Sequence, residues 1–287
     1  MSREITVLAT GPQALIQDLG RPGHAHLGIP PSGALDTLAL RQANRLVGND
    51  EAAAGIELLI GGLRVRAQCP CTIAVTGPPI GVTVNDRATD SHTPVHLDAS
   101  DILEVGTLTA GLRCYVAFGG GLAVVAELGS RSTDLLSGIG PEPLAANLRL
   151  PLGPAGIPFG VDELAPEPVT GDLTVPISLG PREYWFDEPG RQLATARWSV
   201  SEKSNRVGLC CTGPALRRAA EFDGVELASE GIITGAVQVP TDGRPLIFLA
   251  DHPTTGGYPV LGVVPAHTLP ALAQARPGTP LHFHPSR

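Results

Sequence analysis

"PLIFLADHPTTGGYPVLG", residues 245–262, decides how this chain is read. An apolar run from Pro245 to Ala250 stops at Asp251, crosses Pro253 to Pro259, and resumes as apolar residues at Val260. A short apolar run bounded by breakers, with no helical period across it, is a strand followed by a turn and a second strand. A plain turn needs one glycine and one polar residue. Here the backbone is bare at Gly256 and Gly257, with hydroxyls before it at Thr254 and Thr255 and after it at Tyr258. That composition marks a place where something approaches the main chain closely.

The same strand signature recurs outward from this stretch. It is found at 5–8, 56–60, 72–76 and 113–118, then at 174–179, 235–239 and 280–284, mostly bounded by Gly, Pro or Asp. The 35 glycines and 28 prolines are spread along all 287 residues, as numerous short strands and turns require. One long helix is expected over 34–48, with Leu35, Leu38, Ala39, Leu46 and Val47 on its apolar face and Gly48 ending it. A shorter one is expected over 270–276. Residues 151–171 hold five prolines and four glycines and read as a linker or surface crossing. This divides the chain into a β-barrel-like half, 1–150, and a second half, 172–287. "NRLVG" at 44–48 and "NRVG" at 205–208 each precede a Glu and Gly and then apolar strands. The echo suggests two similar β units around one shared site.

Composition excludes several classes of function. Net charge is −8 and no basic run carries interleaved aromatics, so nucleic acid is a poor partner. Lys203 is the only lysine and follows no glycine loop, which rules out a P-loop. The five cysteines lack Cys-x-x-Cys spacing and read as free thiols in a reducing compartment. His24 with His26, and His282 with His284, are spaced to share a strand face, but no cluster completes a metal site. The N-terminus has no apolar signal region, and no apolar run approaches the ~18 residues of a membrane span. A soluble, cytoplasmic protein without a membrane partner is expected.

Polar residues concentrate in five segments. In 17–36, "QDLGRPGHAHLGIPPSGALD", Arg21 suits bidentate anion binding and the helix start after Ser32 supplies N–H groups. The alternative is a rigid loop with an internal Asp18–Arg21 pair. In 129–138, "GSRSTDLLSG", a helix cap and a ligand loop are equally compatible with the spacing. Gln238 sits in an otherwise apolar strand and needs a partner, of which a substrate amide is one. "SNRVG" at 204–208 and "TTGGYP" at 254–259 complete the set.

Taken together and in order, "QDLGRPG", "HLGIPPSGALD", "NRLVGN", "GSRSTDL", "SNRVG" and "TTGGYP" resemble one family across nearly the whole chain. This is the C component of the bacterial ATP-dependent 5-oxoprolinase, also called allophanate hydrolase subunit 2 or the Kip antagonist family. It is related to the carboxyltransferase part of urea carboxylase. The resemblance implies a mainly β fold of cyclophilin-like β-barrel architecture, duplicated, with one long helix and a few short ones. It implies two protein partners, one Kip inhibitor-like and one lactam-hydrolase-like, and a small lactam or amide as substrate. It also implies that ATP, with magnesium, is bound with a partner's help. The site residues it implies are Arg21, Ser32, Asp36, Arg45, Arg131, Arg206, Gln238, Asp251, Thr254, Thr255 and Tyr258, with Gly256 and Gly257 baring the loop. Of these, Asp36, Asp251 and Tyr258 are the expected catalytic groups, the two acids as bases or as orienters of an N–H. The chain departs from the family's pattern at His24, His252–Pro253 and Val260. There are two alternatives. One is a carboxyltransferase acting on urea or a related amide with a biotin carrier; the other is a non-catalytic regulator of the Kip inhibitor-like partner.

Overall fold

The computed structural model describes residues 3–156 and 171–286, and most of the expected 151–171 linker lies outside the described residues. These residues fall into two units, 3–21 with 32–156, and 22–31 with 171–286. The segment 22–31, read from sequence as part of one continuous loop, therefore belongs with the second unit.

The first unit contains β1 (Glu4–Thr10), β2 (Gln13–Gln17), β3 (Gly55–Leu59), β4 (Leu63–Ala67), β5 (Cys71–Thr76) and β6 (Val82–Val84). It continues with β7 (Arg87–Thr89), β8 (Val95–Leu97), β9 (Ile102–Val105), β10 (Arg113–Phe118) and β11 (Arg149–Pro151). They form two antiparallel sheets, ordered β11-β1-β4-β9-β6-β7 and β2-β3-β10-β5-β8. β4 shows why: Leu63, Val65 and Ala67 are fully buried while Arg64 and Arg66 between them face out, the period of a half-covered strand.

β10 is buried on both faces. Cys114, Val116 and Phe118 enter the core between the sheets, and Tyr115 and Ala117 turn to the other side, beneath helix α1 (Thr37–Leu46). The helix is shorter than the expected 34–48. It begins after Asp36, whose Oδ1 accepts from Ala39 N at 3.0 Å, and Gly48 follows its end at φ 74°. Its buried face is Ala39, Leu40, Ala43, Asn44 and Leu46, so Leu38, expected inside, is 56% exposed. The tight spacing of Ala39, Ala43 and Leu46 brings the helix close to the sheet. Each fully buried leucine there contributes about 1.5–3 kcal/mol.

The second unit contains β12 (Leu173–Leu179), β13 (Trp198–Val200), β14 (Gly208–Thr212), β15 (Glu230–Gly231) and β16 (Ala236–Gln238). β17 (Leu246–Phe248), β18 (Thr255–Gly256), β19 (Val260–Val263) and β20 (Pro280–Ser286) follow. Seven of these close into a barrel, β12-β19-β16-β17-β14-β13-β20, sealed by the parallel pairing of β12 with β20. β15 and β18 form a separate ribbon. Helices α2 (Pro189–Thr195) and α3 (Leu269–Ala273) are short, each with a proline in its first turn. α2 was not foreseen from sequence. The mainly β architecture with a barrel and one long helix is thus found, although the first unit is built as two sheets and the second as a closed barrel.

Candidate functional site

Three of the candidate residues of the first unit meet at the end of β2. Leaving that strand, Asp18 becomes the acceptor for a whole loop. Its carboxylate receives Ser130 Oγ at 2.5 Å, Ser132 Oγ at 2.6 Å, Arg131 N at 2.6 Å and Gly20 N at 2.8 Å. Ser130 and Ser132 alternate in an extended stretch, which places both hydroxyls on one side. That alternation was the available sequence signal for Asp18 as the organiser, and the expected site did not include it. No helix starts at 130–134 among the described residues, so these hydroxyls cap a carboxylate and not a helix.

Around this carboxylate the structure gathers three of the expected residues. Arg21 is 1% exposed, donates Nη2 to Ser132 O and reaches Glu127 O at 3.4 Å through Nε. Its Nη1 is buried with no hydrogen-bond partner among the described residues. The internal Asp18–Arg21 pair that sequence offered as an alternative does not form, because Asp18 is saturated by hydroxyls and amides. Ser32 donates to Thr133 O at 3.2 Å, the carbonyl that also accepts from Gln17 Nε2 at 2.8 Å. Arg131 donates Nε to Val124 O at 2.8 Å. Main-chain carbonyls thus hold both guanidiniums in fixed orientations, and Arg21 keeps a spare donor. Such preset donors suit an anionic oxygen.

Asp36 and Arg45 lie elsewhere in this unit. Asp36 N donates to Tyr115 Oη at 2.8 Å, and Tyr115 Oη donates to Glu57 Oε2 at 2.7 Å. Glu57 Oε2 also accepts from Leu35 N at 3.0 Å. Burial first, then the charges of Glu57 and Asp36, push the Tyr115 hydroxyl well above its usual range, so it remains a neutral donor. This buried network anchors the helix start, and Asp36 acts in it as an orienter of N–H groups. Arg45 is at the surface, paired with Glu51 at 2.7 Å. Hydrogen bonds from Arg45 and then Arg41 hold the Glu51 carboxyl below its usual 4.5.

In the second unit the acid that ends "PLIFLA" is buried. Asp251 Oδ2 and Oδ1 accept from Arg206 Nε at 2.8 Å and Nη2 at 2.9 Å, and the two side chains are 0% and 3% exposed. Asp251 N also donates to Arg206 O at 3.1 Å, which joins the strand exit to "SNRVG". This bidentate contact gives Asp251 the role of orienting a guanidinium. His252, one of the departures from the family pattern, is also buried and lies 3.1 Å from Thr234 Oγ1 through Nε2.

The double glycine has a different cause at each position. Neither residue has positive φ. A Cβ at Gly256 would lie 2.7 Å from Gln238 Nε2, the amide that donates to Tyr258 O at 2.9 Å. The main chain is bared there for the chain's own glutamine, so Gln238 has an internal partner. At Gly257 a Cβ would sit 3.3 Å from Leu227 O, a closer contact than most Cβ atoms make. Thr255 and Gly256 pair with Gly231 and Glu230, and the Tyr258 side chain is 42% exposed at the end of the loop. Thr254, Thr255 and Tyr258 therefore stand on one short ribbon and turn. Among the described residues there is no group of three or more His, Cys, Asp or Glu arranged to hold a metal. No helix of the described residues is long and apolar enough to cross a membrane.

Comparison with known proteins places these features in a family. Residues 27–285 match the family described as carboxyltransferase domain, subdomain A and B. The chain is 33% identical to the C component of 5-oxoprolinase from Escherichia coli, covering 97% of this chain and 90% of that protein. It is equally identical to the same component from Haemophilus influenzae, with the same coverage. It is 31% identical to urea amidolyase of Lachancea kluyveri over 97% of this chain, but spans only 17% of that protein. The solved urea amidolyase of K. lactis superposes with a TM-score of 0.92 at 28% identity, covering 100% of this chain and 19% of the other. The chain belongs to the carboxyltransferase domain family, subdomain A and B, whose relatives include the C components of 5-oxoprolinase.

Proposed function

We propose that this chain is the C component of a 5-oxoprolinase, which opens 5-oxo-L-proline to L-glutamate in an ATP-dependent reaction. It does so together with a Kip inhibitor-like and a lactam-hydrolase-like partner. The observation that carries this reading is the 33% identity to such a component over 97% of this chain and 90% of the relative. Opening the lactam adds water across its C–N bond: the carbonyl carbon gains oxygen and the nitrogen leaves as an amine after taking a proton. The carbonyl oxygen carries negative charge on the way, and oriented guanidinium and N–H donors stabilise it. Arg21 and Arg131 on the Asp18 loop, and Arg206 on Asp251, are the donors this chain offers. Asp18 acts by fixing the 130–132 segment, whose Ser132 carbonyl orients Arg21, and Asp251 by holding the Arg206 guanidinium directly. ATP and its magnesium, in this reading, are bound with a partner's help, and the complex is cytoplasmic.

The test is ATP-dependent glutamate release from 5-oxoproline by this chain mixed with both partners, with each component omitted in turn. Glutamate formed only by the complete mixture supports the proposal. A second reading, a carboxyltransferase acting on urea or a related amide, is favoured by the family description and by the urea amidolyase superposition. It would displace the first if the complete mixture made no glutamate while an amide stimulated ATP turnover with a biotin carrier. A chain that binds the Kip inhibitor-like partner and changes neither turnover would be a regulator of it.

A further inference from the structure

We propose that Thr234 and His252 form an acyl-transfer pair in the second unit, with the Thr234 hydroxyl as nucleophile and the His252 imidazole as its general base. The substrate class is a short acyl group carried as an activated ester or thioester. The inference goes beyond the 5-oxoprolinase reading and needs neither partner nor ATP.

The strand exit that holds Asp251 also builds this pair. His252 is 3% exposed, and its ring lies against Phe248 with the centroids 6.0 Å apart. Its Nδ1 is 2.8 Å from Pro253 O. A carbonyl oxygen only accepts, so Nδ1 carries the hydrogen. In the neutral ring Nε2 then has the lone pair, and it faces Thr234 Oγ1 at 3.1 Å. The hydroxyl therefore donates to the imidazole. A hydroxyl, an imidazole and a fixed acceptor behind the imidazole are the three parts of an activated nucleophile. Here a main-chain carbonyl stands in the orienting place that an acid takes elsewhere.

Thr234 is half-buried whereas His252 is buried, so a reactant meets the hydroxyl first. The turn that carries it, between β15 and β16, is fixed on both sides. Ile232 N donates to Thr254 O at 2.9 Å, and Gly235 N donates to Phe248 O at 2.8 Å. Gly235 has φ 85°, and a Cβ there would lie 2.5 Å from Val264 O, so the turn requires glycine. The hydroxyl is thus presented by pinned backbone beside the ribbon of Thr254 and Thr255. The adjoining Ile233 is 59% exposed and offers an acyl chain an apolar surface.

The neighbouring ion pair cannot do this work. Arg206 does not give up its charge, and both Asp251 oxygens accept from it, so the pair orients without moving protons. Imidazole is the side chain that both takes and gives a proton near neutral pH. In the proposed step the Thr234 oxygen bonds to the acyl carbon as its hydrogen passes to His252 Nε2. The bond from the acyl carbon to the leaving alkoxide or thiolate breaks, and that group takes the proton from Nε2. Water then attacks the acyl-threonine ester. Its proton returns through His252 to Thr234 Oγ1 as the acid departs.

The experiment incubates the full chain with p-nitrophenyl acetate, follows p-nitrophenolate release and locates acetylated residues by peptide mass mapping. Lys203, exposed and the only lysine, measures unassisted acylation within the same molecule. The wild type should be acetylated at Thr234. Thr234→Val keeps the shape without the hydroxyl and should lose that label, whereas Thr234→Ser should keep it. His252→Gln should slow labelling at position 234 by ~100-fold or more, the contribution of a positioned base, and leave Lys203 labelling unchanged. A wild type labelled at Lys203 but not at Thr234 would overturn the proposal. So would equal labelling rates at Thr234 in the wild type and His252→Gln, since the imidazole would then serve only to hold the hydroxyl in place. Melting temperatures are taken for every variant. If His252→Gln does not fold, the wild type and Thr234→Ser decide alone: label at position 234 in both supports the pair, and its absence from the wild type refutes it.

Discussion

Replacing Asp251 by asparagine tests whether the buried Arg206–Asp251 pair holds the candidate residues of the second unit. The substitution keeps the shape of the side chain and removes its charge. Arg206 then remains a guanidinium that is 3% exposed, with its bidentate partner neutral. At 2.8 Å and an effective dielectric of about 20, the direct attraction is of order 6 kcal/mol, much of it offset by the cost of taking both charges out of water. Removing one member of such a pair costs about 3–5 kcal/mol, because the remaining charge stays buried. For a unit of this size that is a fall in melting temperature of roughly 6–20 °C. Replacing both residues, as Arg206→Met with Asp251→Leu, should recover a large part of the loss, since two apolar groups leave no stranded charge. The assay is thermal unfolding of the two single variants and the double variant, read as a double-mutant cycle. Glutamate release by the fraction that remains folded is measured alongside. A double variant that regains stability but not activity assigns the pair to the chemistry as well as to the fold. Asp251→Asn melting within 1 °C of the wild type would refute the reasoning, because the pair would then contribute almost nothing.

The remaining expectations follow from single contacts. Asp18→Asn places an N–H₂ group among four donors that now point at a carboxylate, so it should cost about 2–4 kcal/mol and loosen the 129–133 loop. An unchanged rate of proteolysis in that loop would count against it. Gly256→Ala should displace the Gln238 amide from Tyr258 O and cost about 1–3 kcal/mol, and combining it with Gln238→Ala should add little further loss. Full additivity of the two would show that they do not touch. Burial lowers the His92 pKa below its usual 6.5, so the folded state binds its proton less readily than the unfolded state. Stability from this group is therefore present above 6.5 and lost as pH falls through the folded value. His92→Asn suits the residue's φ of 63° and should flatten the fall in melting temperature between about pH 6.5 and pH 5. An unaltered pH slope would dismiss His92 as its source.

Much of the fold was legible in the chain because strands announce themselves locally. Cys71–Thr76, Arg113–Phe118 and Leu173–Leu179 were each visible as apolar runs between breakers, and a run needs no knowledge of its neighbours. Strands such as Val82–Val84 and Ala236–Gln238 are only three residues long, and length alone hides them or blurs their ends. The start of the long helix depended on which residue supplied the cap. Asp36 takes that place through its contact with Ala39 N, and Tyr115, 79 residues away, fixes Asp36 N.

The candidate site divides along the same line. Residue types pointed to Arg21 and the Gly256–Gly257 loop, and the resemblance of the motifs to one family added Arg206 and Asp251. What each one touches was settled only in three dimensions. Asp18 and Ser132 are 114 residues apart, Arg206 and Asp251 are 45 apart, and Gln238 and Tyr258 are 20 apart. A hydrogen bond acts over about 3 Å and carries no mark of sequence separation. The chain by itself therefore determined which polar groups were available to the candidate site, although not the organising place of Asp18. Tertiary structure decided that Asp18 is saturated by serines, that Arg21 keeps a spare donor, and that the bare glycine makes room for the protein's own glutamine.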